Sequence, residues 1–196
     1  IGRRVLGWVA DGLNVFAERE GNTWCWSQSP GGAAALRQGE PPLPAATLEA
    51  CLGADAILLG AVGDPEFNAG PRERRPETAL LDLRQALGVY ANLRPAKVWP
   101  GLEDGGSLKP ERLVGLDVLI VRELTGGIYY GEPRGRTDDR TVEFDTMRYS
   151  QPEIERLATV ASESARGRNQ LVTSVDKATV LDSSRLWREG VPDVCR

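Results

Sequence analysis

The sequence predicts an α/β protein built on a partly parallel sheet flanked by helices. Two short apolar runs, residues 56–59 and 116–121, have the composition of strands that are covered on both faces. Segments with helical spacing alternate with these runs, as expected when helices join parallel strands. A chain of 196 residues with 41% hydrophobic residues is long and apolar enough to fold as one domain or two small ones.

The elements of the N-terminal part follow from their local patterns. Apolar residues at helical spacing over 5–16 predict a first helix, and the bulky β-prone residues 23–27 predict a strand. A turn-rich stretch over 29–44 leads to a short helix at 45–52. The apolar run at 56–59 then predicts a buried parallel strand.

The middle of the chain contains a long polar loop and two further strands. The loop at 60–76 is too polar for a core, and loops of this length often carry function. Leucines at helical spacing predict a helix over 80–87, and a short strand follows at 89–93. The strand at 116–121 ends in two charged residues, Arg122 and Glu123. Charges at the carboxyl end of a strand are candidates for a site in open parallel sheets.

The C-terminal part continues the alternation. Residues 142–145 predict an extended arm. Ser150 and Glu153 form a capping box, which predicts the start of an amphipathic helix. Residues 171–175 predict another strand, and a last helix is expected at 183–189.

The composition excludes several classes of function. The chain has no histidine, so Ser-His-Asp, Cys-His and histidine-ligated zinc chemistry are excluded, and any metal would need oxygen ligands. Three cysteines far apart in sequence indicate a reducing compartment, and no apolar run is long enough for a membrane span. We therefore expect a cytoplasmic protein that binds no membrane. The net charge of −4 argues against a nucleic-acid partner.

Three arginines stand where a small anionic molecule could be bound. Arg84 lies on a predicted helix, Arg94 follows a strand, and Arg122 ends one. Because a guanidinium group binds a carboxylate through two parallel hydrogen bonds, their convergence would form a site for a di- or tricarboxylate. The alternative is that each arginine is a solvated surface residue.

Two further residues could transfer protons. Tyr129 lies in a glycine-rich turn and could act as a general acid, or it could pack the loop over the core. Lys177 lies between a strand and a helix in a chain with only three lysines. Burial or a neighbouring cation would make it a base, whereas full exposure would make it an ordinary surface lysine.

Five segments together resemble a known family. They are LLGAVGDP (58–65), RPETALLDLR (75–84), ANLRPAK (91–97), VRELTGGIYYGEPRG (121–135) and TSVDKATVL (173–181). In this order they resemble the β-decarboxylating dehydrogenases of the isocitrate/isopropylmalate dehydrogenase family, and most of all its isopropylmalate-oxidising branch. The resemblance implies NAD-dependent oxidative decarboxylation of 3-isopropylmalate to 2-oxoisocaproate in leucine biosynthesis, by a homodimer with Mg or Mn.

The resemblance also implies roles for individual residues. Tyr129 matches the tyrosine that protonates the enol left after decarboxylation, and Lys177 matches the lysine that helps to remove the substrate hydroxyl proton. The residues that match substrate-binding positions are Arg84, Arg94, Arg122, Glu77, Leu80, Leu81 and Val180. A leucine pair suits a branched apolar group. The residues that match one cofactor-binding segment are Asp64, Pro65, Arg75 and Glu77.

The chain departs from the family pattern at several points, so we expect an incomplete member of the fold. The family's opening strand is missing before Ile1, and the helix after Trp187 looks shortened. The segments expected to carry the metal-binding aspartates and the adenosine loop would lie beyond Arg196. Thr179 replaces the usual asparagine. We therefore expect no metal ligands in this chain and no turnover by it alone.

The resemblance implies two partial domains. Residues 1–89 correspond to a partial cofactor-side domain, and residues 90–196 to a partial substrate and dimerisation domain with an arm near 130–149. A non-catalytic truncated remnant and a related dehydrogenase acting on tartrate or homoisocitrate are the alternative functions. Either NAD or NADP is compatible with the residues present.

Overall fold

The structure, a computed structural model, describes residues 2–103 and 106–195. It forms two compact units, one up to Leu87 and one from Gly88. The assignment of cofactor and substrate roles to two halves of the chain stays a prediction. Within the described residues, no helix combines the length and the apolar character that crossing a bilayer requires.

The first unit is helical. Its helices are α1 (Gly2–Arg19), α2 (Ala33–Leu36), α3 (Ala45–Leu52) and α4 (Pro76–Leu87). The helices expected at 5–16, 45–52 and 80–87 are confirmed. The loop between α3 and α4 contains two 3-10 turns, Pro65–Phe67 and Arg72–Arg74.

The two strands expected in the first unit are wrong. Residues 23–27 and 56–59 form no ladder with any described residue. Trp24 is 43% exposed and Leu59 is 47% exposed. The physical reason is that a strand requires a neighbour to satisfy its backbone groups, and β-propensity without such a neighbour leaves an irregular segment.

The second unit combines two antiparallel ladders with two helices. The strands are β1 (Ala91–Lys97), β2 (Asp117–Glu123), β3 (Gly135–Arg136) and β4 (Glu143–Phe144), and the helices are α5 (Gln151–Arg166) and α6 (Asp182–Cys195). β1 pairs with β2, and β3 pairs with β4 in the expected arm. The mixture of helices and strands confirms the α/β class. The expected parallel pairing does not occur among the described residues, because both ladders are antiparallel.

The core of the second unit lies between α5 and α6. Ile154 is fully buried and packs with Ala158 and Val191, and the rings of Tyr149 and Trp187 cover this cluster. The predicted capping box starts α5, since the Ser150 N–H donates to Glu153 Oε2 at 2.7 Å. The helix pair also contacts two loops of this unit, because Arg156 of α5 binds Thr125 and Arg188 of α6 binds Asp176.

In the C-terminal segment the expected strand is wrong, and the helix expected at 183–189 is confirmed but extends further. Residues 171–175 form no strand, and Val175 is 85% exposed. The last helix is longer than expected, because α6 continues through Pro192 to Cys195. Gly190 does not end the helix: it allows close packing, since a Cβ there would lie 3.2 Å from Ile154 Cγ2.

Candidate functional site

The strand pair β1–β2 places two of the predicted arginines on one face. Arg122 pairs with Asn92, and Arg94 lies two residues further along β1. Because side chains alternate along a strand, all three belong to the same face of the ladder. Arg94 Nε donates to Asn92 Oδ1 at 2.6 Å, which orients the guanidinium group. This face is therefore cationic and suited to a carboxylate.

Tyr129 contacts this cationic face. It ends the 3-10 turn Gly127–Tyr129, and its hydroxyl oxygen accepts a hydrogen bond from Arg122 Nη2 at 3.3 Å. The Arg122 guanidinium carbon lies 5.5 Å from the centre of the tyrosine ring. The phenol is half exposed. A phenol and a guanidinium group are thus in direct contact at the end of β2.

The turn that carries Tyr129 is fixed at its start by a buried carboxylate. The Glu123 side chain is 3% exposed. It accepts hydrogen bonds from the Gly126 N–H at 2.7 Å and from both the N–H and the hydroxyl of Thr125 at 3.0 Å. Arg156 of α5 donates to it at 3.3 Å and stacks over the ring of Tyr90. The carboxylate therefore joins the turn to α5.

A buried guanidinium group fixes the same turn at its end. The Arg134 side chain is 8% exposed. Its Nε donates to the Gly131 carbonyl at 2.9 Å, and its Nη2 donates to the Ile128 carbonyl. Asp145 lies 3.8 Å from the guanidinium group.

Tyr149 packs directly against the glycines of the turn. Gly127 has a φ of +72°, and any Cβ there would run into the Tyr149 phenol. The Tyr149 ring also makes an edge-to-face contact with Trp187, with centroids 5.6 Å apart. Burial, followed by the charge of Glu123, raises the pKa of Tyr149, so it remains protonated.

Lys177 lies in a second turn, before α6. The neighbouring Asp176 accepts hydrogen bonds from Arg188 Nε at 3.0 Å, from Arg188 Nη2 at 2.7 Å and from the Ala178 N–H at 2.9 Å. The Arg188 guanidinium group lowers the pKa of Asp176. Lys177 is exposed, and Val180 of the same turn is 69% exposed.

A cleft of about 200 Å³ lies between the residues that support the Tyr129 turn and those that support the Lys177 turn. Tyr149, Asp176 and Trp187 contribute to its walls. Tyr149 belongs to the support of the tyrosine turn, and Asp176 to that of the lysine turn. The cleft is therefore a local feature of the second unit.

In the first unit, helix α4 carries four of the predicted residues on one face. Glu77, Leu80, Leu81 and Arg84 follow the i, i+3, i+4, i+7 pattern. The Glu77 carboxylate lies against Gly63, where a Cβ would be only 2.6 Å from Oε1. The absence of a side chain at residue 63 therefore lets the loop approach the start of α4.

Pro65 begins the 3-10 turn Pro65–Phe67, and Asp64 is the residue that caps it. The Asp64 carboxylate caps the turn through the Glu66 N–H at 3.1 Å and binds Arg37 Nη2 at 2.5 Å. Arg37, which the sequence analysis did not select, also binds Glu66 at 3.0 Å. Its hydrogen bond lowers the pKa of Asp64. Arg75, the fourth residue predicted for cofactor binding, is exposed.

The structure thus brings the predicted residues into three groups. Arg122 and Tyr129 lie together at the end of the β1–β2 ladder. Arg94 lies on the same face at the middle of β1, opposite Ile120, rather than after a strand as predicted, because β1 extends to Lys97. Lys177 and Val180 share one turn, and the α4 residues share one helix face. Five supporting residues were not predicted to hold other groups in place, although Glu123 was named as a candidate charge at a strand end: Glu123, Arg134, Tyr149, Arg156 and Asp176. The only available signal was the placement of Glu123 at a strand end next to Arg122.

The described residues do not form a metal site. No group of three acidic or cysteine side chains converges within residues 2–103 and 106–195. Mg or Mn requires several oxygen ligands at once, so these residues alone do not fit such an ion.

Comparison with known proteins identifies the family. The isocitrate/isopropylmalate dehydrogenase family matches residues 1–196. The chain therefore belongs to the isocitrate/isopropylmalate dehydrogenase family, as the five motifs predicted.

Individual relatives agree with this assignment. The chain is 49% identical over 193 residues to 3-isopropylmalate dehydrogenase of Synechococcus sp. (strain CC9902), covering 97% of this chain and 54% of that protein. It is 56% identical over 163 residues to 3-isopropylmalate dehydrogenase of Salinibacter ruber (strain DSM 13855 / M31), covering 83% and 44%. The chain spans about half the length of these curated relatives.

A solved structure confirms the fold. Isocitrate dehydrogenase from Methylococcus capsulatus superposes with a TM-score of 0.73 at 28% identity, covering 90% of this chain and 50% of that one. The expected family fold, incomplete in this chain, is confirmed.

Proposed function

We propose that the protein oxidatively decarboxylates 3-isopropylmalate to 2-oxoisocaproate with NAD, in leucine biosynthesis. The observation that carries the proposal is the contact between Arg122 and Tyr129 beside Arg94, because it joins carboxylate binding to proton donation. The relatives named 3-isopropylmalate dehydrogenase support the same reaction.

The substrate would be a 2-hydroxy dicarboxylate held by arginines. Arg94 and Arg122 present a cationic face, and we assign Arg84 to the same task. Leu80 and Leu81 on α4, together with Val180, would receive the branched apolar group. An apolar pocket binds an isopropyl group without leaving polar groups unpaired, which favours isopropylmalate over isocitrate.

Two residues of the chain would move protons. Lys177 helps to take the proton from the substrate hydroxyl as the alcohol is oxidised. Tyr129 then donates its phenolic proton to the enol carbon that remains after carbon dioxide leaves, and the charge of Arg122 at its hydroxyl steadies the oxygen.

The cofactor would be held by the loop before α4. We assign Asp64, Pro65, Arg75 and Glu77 to this task, because Asp64 shapes the loop and Glu77 lies against it at Gly63. NAD, when bound, supplies the hydride acceptor. A divalent ion such as Mg or Mn belongs to the proposed reaction, but the described residues supply no ligand set for it. We further propose a cytoplasmic homodimer, with the β3–β4 arm between the subunits.

The test is a substrate panel with matched variants of the whole enzyme. NADH formation should be fastest with 3-isopropylmalate and much slower with isocitrate, tartrate and homoisocitrate. Tyr129→Phe should lower kcat by roughly 100-fold or more, whereas Tyr90→Phe, which keeps the ring that Arg156 covers, is the control and should change kcat little. A faster reaction with another acid in the panel would replace the proposed substrate. NADH production by the 196-residue chain alone would contradict the expectation that it does not turn over.

A second candidate function is a non-catalytic interaction module. It is favoured by the exposed apolar residues of α1, where Trp8 is 63% and Phe16 is 62% exposed. The intact mass of the native protein discriminates between the two. A mass well above 21.3 kDa supports the enzyme, and a mass near 21.3 kDa supports the module.

A further inference from the structure

We propose that Glu123 and Arg134 are positioning residues for Tyr129: two buried side chains of opposite charge hold the turn between them by its backbone. The inference rests on the proposed role of Tyr129 and extends it to residues that touch neither substrate nor cofactor.

The two side chains bind complementary ends of the same short segment. Glu123 accepts hydrogen bonds from the N–H groups of Thr125 and Gly126, before Tyr129. Arg134 donates to the carbonyls of Ile128 and Gly131, on either side of Tyr129. Four backbone groups of a seven-residue segment therefore bind to two ionised side chains. Hydrogen bonds to ionised groups are stronger than neutral ones, so the segment is held more firmly than an ordinary loop.

Because both side chains are buried, they depend on these hydrogen bonds. At 3% and 8% exposure, the two side chains have little access to water. A buried charge is tolerated only when hydrogen bonds replace its hydration, and the turn supplies those bonds. A movement of the turn would therefore remove hydrogen bonds from both charges, leaving Glu123 with Arg156, and Arg134 with the carboxylates of Glu132 and Asp145. This energetic link gives the turn one preferred position.

The same arrangement explains how neighbouring charges in β2 divide their tasks. Arg122 and Glu123 are adjacent, so their side chains leave the strand on opposite faces. Arg122 reaches the Tyr129 hydroxyl, while Glu123 holds the start of the turn. The end of β2 thus fixes both the Tyr129 ring, through Arg122, and the backbone of the turn that carries it, through Glu123.

The test measures the turn directly, without relying on catalysis. Amide exchange and fluorine NMR are recorded on the fluorotyrosine-labelled chain and its variants. In Glu123→Gln, exchange at the Gly126 amide should accelerate by roughly tenfold to hundredfold, and the Tyr129 signal should shift or broaden. Arg134→Lys keeps the charge but loses the fork, and should accelerate exchange at the Gly131 amide. That amide bonds to the Gly127 carbonyl within the turn.

Matched controls separate a loosened turn from general destabilisation. Glu163→Gln and Arg166→Lys make the same changes at exposed positions of α5. They should leave both signals unchanged, within about twofold for exchange. Exchange within α5 should stay at its wild-type level in the two test variants. Unchanged exchange and an unmoved Tyr129 signal in both test variants would overturn the proposal.

A kinetic measurement on the whole enzyme distinguishes this inference from the proposed function. If the turn is misplaced, kcat should fall roughly tenfold or more while KM changes little, because Arg94 and Arg122 still bind the carboxylates. If the wild-type enzyme oxidises none of the acids in the panel, the proposed function fails, yet the exchange result still decides whether the two charges hold the turn. Loss of protection with unchanged kcat would overturn the positioning role.

Discussion

The tyrosine turn and the lysine turn are both attached to the α5–α6 helix pair, but they are supported differently. The turn with Tyr129 is held from both ends by buried charges and covered by Tyr149. The turn with Lys177 is attached to α6 alone, by Arg188 bound to Asp176 and by Arg185 bound to the Ala178 carbonyl, and its neighbours Val175 and Val180 are exposed. One half of the proposed proton chemistry is therefore preorganised within this chain, while the other half is left open to solvent.

The shared helix pair gives the largest expected effect. Ile154→Ala removes a fully buried side chain from the cluster that supports both turns. It should lower the free energy of unfolding by about 2–5 kcal/mol, since a cavity replaces packed atoms. Val175→Ala, at an 85% exposed position, should change it by less than about 0.5 kcal/mol. Chemical denaturation of both variants measures this difference in the free energy of unfolding. Equal losses in the two variants would mean that the cluster around Ile154 does not support the turns.

A glycine substitution isolates the tyrosine turn. Gly127 and Gly115 have nearly the same positive φ, 72° and 76°, but only Gly127 has Tyr149 against it. Alanine should cost about 1–2 kcal/mol of backbone strain at either position. At Gly127 the contact with Tyr149 should add about 1–3 kcal/mol. Thermal or chemical unfolding of the two variants checks this, and equal costs would show that Tyr149 does not restrain the turn.

The lysine turn should respond to pH through Asp176. Its pKa is lowered in the folded state, so its contribution to stability is present above the unfolded value near 3.8 and is lost as pH falls below it. Asp176→Asn should therefore lower Tm at neutral pH and weaken the acid dependence of stability. Asp182→Asn, at a carboxylate 95% exposed, is the control. Parallel acid denaturation curves for Asp176→Asn and the wild type would contradict the anchoring role.

The smallest effect is expected outside both turns, in the arm. The Asp139 carboxylate accepts hydrogen bonds from the hydroxyls of Thr137 and Thr141 and from the Thr141 N–H, which lowers its pKa to about 2. This contribution to stability is present above about pH 4 and is lost as pH falls toward 2. A carboxyl NMR titration should show the low pKa. Thr141→Ala should raise it without changing Tm by more than about 1 °C.

The sequence predicted the helices better than the strands, for a physical reason. Helices α3, α4 and α5 satisfy their backbones locally, so apolar spacing and the Ser150 capping box were enough to find them. Strand formation depends on a distant neighbour that propensity cannot supply. Residues 56–59 therefore remain irregular, while β2 forms because β1 pairs with it.

The same limit applies to the candidate site. The motifs selected Arg122, Tyr129 and Lys177, whose residue types suggest chemistry on their own. They gave no role to Glu123 or Arg134, because the role of those residues depends on which backbone groups they meet after folding. Sequence patterns therefore identify reactive residues more easily than they identify residues that hold other groups in place.

The alternation of charges in β2 also protects the pairing of the strands. A slip of one residue between β1 and β2 would exchange the faces of Arg122 and Glu123. Arg122 would then enter the enclosed site beside Arg156, and Glu123 would leave its backbone donors unpaired. Like charges would meet where opposite charges now bind, so the misaligned ladder would be rejected during folding. Arg122 and Glu123, which shape the proposed site, thereby also favour the correct register of the strand pair that carries it.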